Sequence, residues 1–320
     1  MERYDYLSLI SPDIQMIRYM GFWSGDEPNS GCSKIWYKIY RSIILICLVM
    51  LLCLGWAYIP THWDHITLGE VSTIICIYGM NIGNLSQVYF IIKNGKIFRN
   101  IMNCLESDRF QPKNFHQLEI AEVSKNAGCR IRKIFSIINY GGCMIWPLPV
   151  ILGQEELLSI SYVPPWCPTK VLCIFQIVCL SFYAAVMLMI VSLNCNLLLE
   201  IGIQVDILKD QIARSKGEKN AIVECIQHSG DLALLLEQVQ YIQGFSLFFY
   251  FGTQVFIICT LTFSITDQMN PEEMAFKLAY MTSVIYMVYV MCWYGSDVAQ
   301  KVTSMHSEFK HNFNTSYIPQ

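Results

Sequence analysis

The sequence has few charged residues for its length. Charged side chains make up 15% of the 320 residues, whereas hydrophobic residues make up 54%. Soluble domains usually carry about 25% charged residues. Together with a positive mean hydropathy of +0.38, this composition argues against an ordinary soluble domain and is typical of an integral membrane protein.

Asp, Glu, Lys, Arg and His are missing from the middle of every long apolar segment. The nearest are Arg41, Glu200 and Lys277, which stand at segment edges. Proton relays, voltage sensors and ion-coupled pumps depend on charged groups inside the membrane. Their absence argues against those classes and leaves an apolar, aromatic and weakly polar interior, which suits a small ligand held by shape.

Catalytic and metal-binding patterns are also missing. The sequence contains no G-x-S-x-G, phosphate-binding loop, H-E-x-x-H or dinucleotide fingerprint. The stretch "HWDH" places His62, Asp64 and His65 together, but no fourth ligand or helix fixes them, and a solvated loop explains them better. We therefore expect no enzyme, no cofactor, no bound metal and no nucleic-acid partner.

Paired outer cysteines are lacking as well. Nine of the 14 cysteines fall inside apolar segments and only Cys167 falls in a predicted outer loop. A single cysteine cannot form an intramolecular disulfide there, so the sequence excludes a secreted-type disulfide framework.

What is present is a series of six apolar segments, each close to the roughly 20 residues that a bilayer crossing needs. They comprise residues 39–59, 71–92, 134–152, 169–199, 245–263 and 275–293. The sequence therefore predicts an all-α, polytopic membrane helical bundle. The fourth segment is longer than a bilayer requires, so we expect its helix to continue beyond the membrane.

Basic residues concentrate on one side of these segments. Of the 22 Lys and Arg residues, five lie in or near the N-terminal segment, nine between the second and third spans, four between the fourth and fifth, and two after the sixth. Only Lys170 and Lys277 stand on the other side. The positive-inside rule then predicts a cytoplasmic N-terminus.

The cytoplasmic connections have helical patterns. Apolar residues spaced by a helical turn follow the fourth span, "RSKGEK" interrupts them, and a second stripe leads into the fifth span, which predicts a helical hairpin over about 200–243. Near the N-terminus, Ser11 and Pro12 predict the cap and first residue of an amphipathic helix, with Phe22 and Trp23 as an interfacial anchor. Asn270 and Pro271 predict the start of the sixth span.

Candidate ligand-binding residues lie in the outer halves of four spans. On the second, third, fourth and sixth spans, in that order, they are Ile75, Tyr78 and Ile82; Trp146 and Val150; Phe175, Cys179, Phe182 and Tyr183; and Tyr280, Ser283, Val284 and Met287. Helix packing alone explains any one of them equally well. Their shared depth is what suggests a pocket.

Three stretches resemble the insect odorant receptors, and the order of segments agrees over nearly the whole chain. They are "NCNLLLEIGIQVDILKDQI", "ECIQHSGDLALLLEQVQYIQGFSLFFYFGTQVFIICTLTF" and "MVYVMCWYGSDVAQKVTSM". The resemblance implies an odorant-gated cation channel in the plasma membrane of a sensory neuron, assembled as a heterotetramer with the shared odorant co-receptor. It also implies a pocket near Tyr78, Trp146, Phe182 and Tyr280, and subunit contacts through the hairpin.

The resemblance further implies a seventh, pore-lining span after the sixth. We therefore expect residues 294–320 to be a cytoplasmic polar tail that stops short of that span, and we expect the chain not to conduct by itself. Two other functions remain open: a six-span transporter of small apolar solutes, and a non-conducting binding or assembly protein. A transporter would be favoured by an inverted repeat, and we find none.

Overall fold

The computed structural model describes residues 4–23, 31–145, 157, 159–215, 218–266 and 271–316. Within these ranges all regular structure is helical. The helices are α1 (Leu7–Tyr19), α2 (Gly31–Thr61), α3 (Leu68–Leu105), α4 (Phe115–Ile145), α5 (Thr169–Arg214), α6 (Lys219–Thr266) and α7 (Pro271–Ser316). The prediction of an all-α bundle is confirmed.

Five of these helices, α2, α3, α5, α6 and α7, are long and apolar enough to cross a membrane. They contain the predicted first, second, fourth, fifth and sixth spans. The predicted third span, residues 134–152, begins within α4 and continues past Ile145, so its second part lies outside the described residues.

Helix α5 is the central element of the bundle and packs against α1, α4, α6 and α7. It has 46 residues, which corresponds to about 69 Å of helix at 1.5 Å per residue. The hydrocarbon core of a bilayer is about 30 Å thick. The prediction of a helix longer than a bilayer crossing requires is therefore confirmed.

Helices α5 and α6 form the predicted hairpin, and we call the end of the bundle where they join the hairpin end. Helix α6 continues without interruption from Lys219 to Thr266, so the second arm of the hairpin and the fifth span are one helix. The connection between α3 and α4 forms two ion pairs with α6 of this hairpin. Arg109 pairs with Asp231 at 2.6 Å, and Lys113 pairs with Glu224 at 2.5 Å.

Helix α1 begins one turn earlier than the sequence predicts. The predicted cap at Ser11 is wrong, because the helix starts at Leu7 and Pro12 lies inside it. Asp5 provides the reason: its Oδ1 accepts a hydrogen bond from the Ser8 amide at 3.1 Å. An early amide of the helix thereby gains a partner. By contrast, α7 begins at Pro271 as predicted, and its predicted cap Asn270 lies outside the described residues.

Helix α1 is locked onto α4 and α5 by a buried carboxylate. Asp13 Oδ2 accepts hydrogen bonds from Arg132 Nη2 at 2.7 Å, Asn196 Nδ2 at 2.8 Å and Ser192 Oγ at 3.2 Å. Burial raises the pKa of Asp13 to about 6, although Arg132 and the other two donors act in the opposite direction. Asp13 therefore belongs to the buried face of α1, whereas Gln15 and Arg18 are exposed.

The segment after α1 also packs inward. Phe22 is fully buried and Trp23 is 1% exposed, so the prediction that they anchor the chain in the membrane interface is wrong. Gly21 makes this packing possible, because it adopts a left-handed backbone conformation, φ +81°, that turns the chain after α1. The aromatic pair is thereby directed at the helices instead of at the lipid.

Candidate functional site

Tyr78 lies on α3 with its ring fully buried against the backbone of α2. The contact depends on Gly55, because a Cβ atom at that position would lie 2.3 Å from two atoms of the Tyr78 ring. No side-chain atom can occupy such a distance without displacing the ring. Glycine at position 55 therefore makes the space that holds Tyr78 in place.

The Tyr78 hydroxyl belongs to a buried polar group that we call the Tyr78 cluster, formed by Tyr78, Ser159, Ser161 and Gln176. The hydroxyl donates to the Ile160 carbonyl at 3.1 Å and lies 2.9 Å from Ser159 Oγ. Gln176 of α5 donates to the Ser159 carbonyl at 3.0 Å and to Ser161 Oγ at 2.7 Å. The cluster thus joins α3 and α5 through the segment before α5.

That segment, residues 159–168, crosses the end of the bundle opposite the hairpin, and we call this end the loop end. Tyr162 donates its amide to the Leu54 carbonyl of α2 at 2.9 Å. Ser159, Ser161 and Pro164 are buried, whereas Trp166 is 82% exposed. The segment therefore covers the ends of α2, α3 and α5 and presents one aromatic side chain outward.

The three candidates on α3 differ in their surroundings. Tyr78 is buried, Ile75 is half-buried, and Ile82 is 47% exposed. Because Ile82 is four residues from Tyr78 yet much more open, the buried face of α3 turns away from it. Ile75 and Tyr78 are the α3 candidates that the structure keeps within the bundle.

The four candidates on α5 divide by position along the helix. Phe175 and Cys179 are within the core beside Gln176. The Tyr183 hydroxyl donates to the Leu48 carbonyl of α2 at 3.1 Å. Phe182 makes an edge contact with Phe22, with 5.9 Å between ring centroids. Phe182 therefore lies toward the segment that follows α1, at a distance from the Tyr78 cluster.

The candidates on α7 pack against a different face of α3. Val284 is fully buried in a cluster with Cys76, Ile257 and Leu261. This places it at the junction of α3, α6 and α7.

The other α7 candidates have contacts that agree with this placement. The Tyr280 hydroxyl contacts Met80 Sδ at 2.7 Å, and Met287 Sδ lies 3.8 Å from the Tyr250 hydroxyl. The Ser283 hydroxyl donates to the Ala279 carbonyl of its own helix at 3.0 Å. Tyr280 and Met287 therefore join α7 to α3 and α6.

Trp146 and Val150 lie outside the described residues. The structure thus brings Tyr78, Phe175 and Cys179 into one core region, and it brings Tyr280 and Val284 to the other face of α3, while Met287 packs against Tyr250 of α6. A pocket shared by all four spans stays a prediction.

Sequence reasoning missed Ser159, Ser161 and Gln176. Gln176 is fully buried in an apolar stretch of α5. An amide in such surroundings must find hydrogen-bond partners within the protein. That requirement was visible in the sequence as a lone Gln in the first part of the fourth span, but the partners, which lie 15 to 17 residues away, were not.

The "HWDH" loop shows no metal-site geometry. The ring of His62 stacks on Tyr58 with 4.1 Å between centroids. Among the residues that the structure describes, no three His, Cys, Asp or Glu side chains come together in a metal-binding group.

Comparisons with known proteins agree with this architecture. The family model described as 7tm Odorant receptor matches residues 67–315. The structure of the insect olfactory receptor OR5 from Machilis hrabei in complex with eugenol superimposes with a TM-score of 0.82 at 14% identity, covering 99% of this chain and 91% of that one. A second structure of OR5 from Machilis hrabei gives a TM-score of 0.82 at 13% identity with the same coverage.

At these identities the structural likeness shows the fold alone, and no curated protein sequence matches the chain. The family model, however, covers well over half of the residues. The helical bundle, its apolar spans and this match lead to one conclusion: the chain is a multi-pass membrane protein that belongs to the 7tm odorant receptor family.

Proposed function

We propose that the chain is an odorant receptor subunit that binds a small, largely apolar volatile molecule at the loop end. The subunit then opens a cation channel together with the shared odorant co-receptor. The observation that carries this proposal is the Tyr78 cluster, a set of buried hydroxyl and amide groups in an otherwise apolar region of a protein of the odorant receptor family.

An apolar ligand is held mainly by shape, and a few polar groups fix its orientation. Phe175 and Cys179 supply apolar surface near the Tyr78 cluster. The cluster supplies hydroxyl groups that can exchange a hydrogen bond with an oxygen of the ligand. The complex of the Machilis hrabei receptor with eugenol supports a small volatile as the class of ligand.

The orientation in the membrane follows from the basic residues. Lys and Arg concentrate at α1, at the α3–α4 connection and at the hairpin. The hairpin end therefore faces the cytosol and the loop end faces outward. Odorants would reach the Tyr78 cluster from outside the cell, in the plasma membrane of a sensory neuron, and the hairpin would contact the other subunits of a heterotetramer.

Helix α5 offers a direct physical link between the two ends. It carries Gln176 at the loop end, Asn196 in the Asp13 network, and Asp210 in the hairpin. Because these residues lie on one continuous helix, a shift of α5 caused by ligand at Gln176 would reach the hairpin. Through the hairpin, this shift of α5 would be transmitted to the neighbouring subunits of the channel.

The test is a current measurement in cells that express the chain with the co-receptor. A panel of small apolar volatiles, eugenol included, is applied to cells with both proteins and to cells with either one. We expect at least one volatile to evoke a cation current that the co-receptor alone does not give. Uptake of a volatile without current would favour the transporter, and co-precipitation with the co-receptor without current would favour the assembly protein.

A further inference from the structure

A second group of buried polar side chains lies between α3 and α6, apart from the Tyr78 cluster. It consists of Asn81, Asn84 and Gln87 on α3 and Gln254 on α6, and we call it the amide row. Asn81 is 4% exposed and each of the other three is 1% exposed. None of them has a role in the proposed function.

The register of the two helices brings these residues together. Three contacts define an antiparallel alignment from the loop end to the hairpin end: Ser72 with Thr260, Gly83 with Thr253, and Phe90 with Phe245. In this alignment Asn81 lies level with Gln254. Asn84 and Gln87 follow at helical spacing toward the hairpin end.

The amide row contains five buried polar atoms that have no hydrogen-bond partner among the described residues. They are Asn81 Nδ2, Asn84 Nδ2, Gln87 Nε2, Gln87 Oε1 and Gln254 Oε1. Backbone N–H groups of the two helices are engaged in helical hydrogen bonds, and no backbone carbonyl of the described residues lies within hydrogen-bond distance of the three amide nitrogens.

An unpaired buried polar group costs roughly 1–3 kcal/mol in a protein interior, and a bilayer offers no solvent to relieve it. Five such atoms would cost more than a marginally stable protein tolerates. A partner must therefore reach them, and it must both donate and accept because the row presents three amide NH₂ groups and two carbonyl oxygens.

We propose that the amide row binds ordered water molecules between α3 and α6. A bare cation does not fit, because three of the five unpaired atoms are nitrogens that carry hydrogen-bond donors. The partner must also be small, because each of the five atoms is almost completely buried. Water is small, donates and accepts, and buried waters typically make about three hydrogen bonds.

Hydration gives the α3–α6 contact a property that direct side-chain bonds would not. A bridging water can exchange one partner for another, so α3 can shift along α6 without leaving an amide unpaired. Asn81 lies one turn below Tyr78 on α3. The hydrated contact therefore begins directly below the Tyr78 cluster.

The test is X-ray hydroxyl-radical labelling of the full chain in lipid nanodiscs, read by mass spectrometry. Radicals formed from a bound water label its neighbours even where bulk solvent does not reach. Tyr250 is the reporter, because it is 1% exposed and lies one turn from Gln254 on α6. Tyr183 is the control, since it is 2% exposed and its hydroxyl already bonds Leu48. We expect Tyr250 to be labelled several-fold more than Tyr183.

The variants Gln254→Leu and Asn84→Leu remove amides from the row and should bring the labelling of Tyr250 down toward that of Tyr183, which itself should not change. Labelling of Tyr250 at the level of Tyr183 in the unmodified chain would overturn the proposal. So would undiminished labelling of Tyr250 in the variants. If one variant fails to fold, the other variant still tests the proposal. The comparison of Tyr250 with Tyr183 in the unmodified chain tests it as well.

Discussion

The Tyr78 cluster and the amide row are both buried polar regions of α3, but their hydrogen bonding differs. In the cluster, Gln176 donates twice and accepts once from groups of the 159–168 segment. In the amide row, five polar atoms find no partner among the described residues. The first arrangement fixes a loop to two helices, whereas the second depends on a small exchangeable partner. Polarity alone therefore does not tell a structural cluster from a hydrated one.

Replacing one glutamine in each region gives the sharpest contrast. Gln176→Leu leaves the Ser159 carbonyl and Ser161 hydroxyl buried without their partner, and we expect it to destabilise the protein by roughly 3 kcal/mol. Gln254→Leu removes an amide together with its water and leaves the neighbouring Asn81 amide without that partner, so we expect a smaller loss of roughly 1 kcal/mol. Both side chains are at most 1% exposed. The measurement is the thermal midpoint of each purified variant in detergent; equal losses would contradict the distinction.

Packing around the Tyr78 ring is the next test of the comparison. We expect Gly55→Ala to destabilise the protein by about 2 kcal/mol, because the added methyl group meets the ring at 2.3 Å and overpacked sites usually cost about 1–3 kcal/mol. Gly79→Ala is the matched control on α3, since a Cβ there meets nothing within 4 Å. Thermal midpoints measure both, and a tolerated Gly55→Ala would show that the ring is free to move.

Removing a single hydroxyl group from each region compares the Tyr78 cluster with the surroundings of the amide row by a smaller change. Tyr78→Phe deletes a bond to the Ile160 carbonyl and leaves that acceptor buried, so we expect a loss of about 1 to 2 kcal/mol. Tyr250→Phe deletes only a 3.8 Å contact with Met287 Sδ, a weak acceptor, and should cost less. Thermal midpoints again provide the measurement. A larger loss for Tyr250→Phe would show that its hydroxyl has a stronger partner than this sulfur.

The Asp13 network adds a polar region whose strength depends on pH. Because the folded pKa of Asp13 is raised from 3.8 to about 6, the folded state binds more protons than the unfolded state between these values. Stability therefore falls as pH rises through this window and is constant above it. Between pH 7 and pH 5 we expect a gain of about 1 kcal/mol.

The pH dependence is measured as the thermal midpoint of the unmodified chain and of Asp13→Asn at a series of pH values. The difference between the two curves isolates Asp13 from other titrating groups. A parallel pair of curves would show that Asp13 titrates alike in the folded and unfolded states. The groups that face Asp13 are Arg132 of α4 and Ser192 and Asn196 of α5.

The sequence predicted the fold well where apolar periodicity determines it. The extension of α5 and the start of α7 at Pro271 followed from apolar runs and helix-start signals, whereas the continuity of α6 through the second hairpin arm and the fifth span did not. The start of α1 was not predicted correctly. Ser11 and Pro12 have the pattern of a helix start, but Asp5 accepts a hydrogen bond from the Ser8 amide and the helix begins earlier. Phe22 and Trp23 were misplaced since periodicity cannot tell a lipid-facing aromatic residue from a protein-facing one.

The candidate site was predicted only in part. Tyr78 was found because it lies in the outer half of an apolar span, at the depth that the other candidates share. Ser159 and Ser161 were missed since their role depends on a loop folding back over the bundle, which the sequence does not show. Ile82 was included by helical spacing, yet it is 47% exposed. Residues that are four positions apart share a broad face of the helix, and spacing alone does not show which part of that face is buried.

The central claim is that a small volatile binds beside the Tyr78 cluster, and ligand-induced thermal stabilisation of the purified chain tests it most directly because it requires no current. A ligand that binds only the folded state raises the thermal midpoint, and the stabilisation grows with the logarithm of the ligand concentration divided by its Kd. We predict that a volatile which stabilises the unmodified chain stabilises Gln254→Leu equally and Tyr78→Phe less. Equal stabilisation of all three proteins would place the ligand elsewhere and contradict the account.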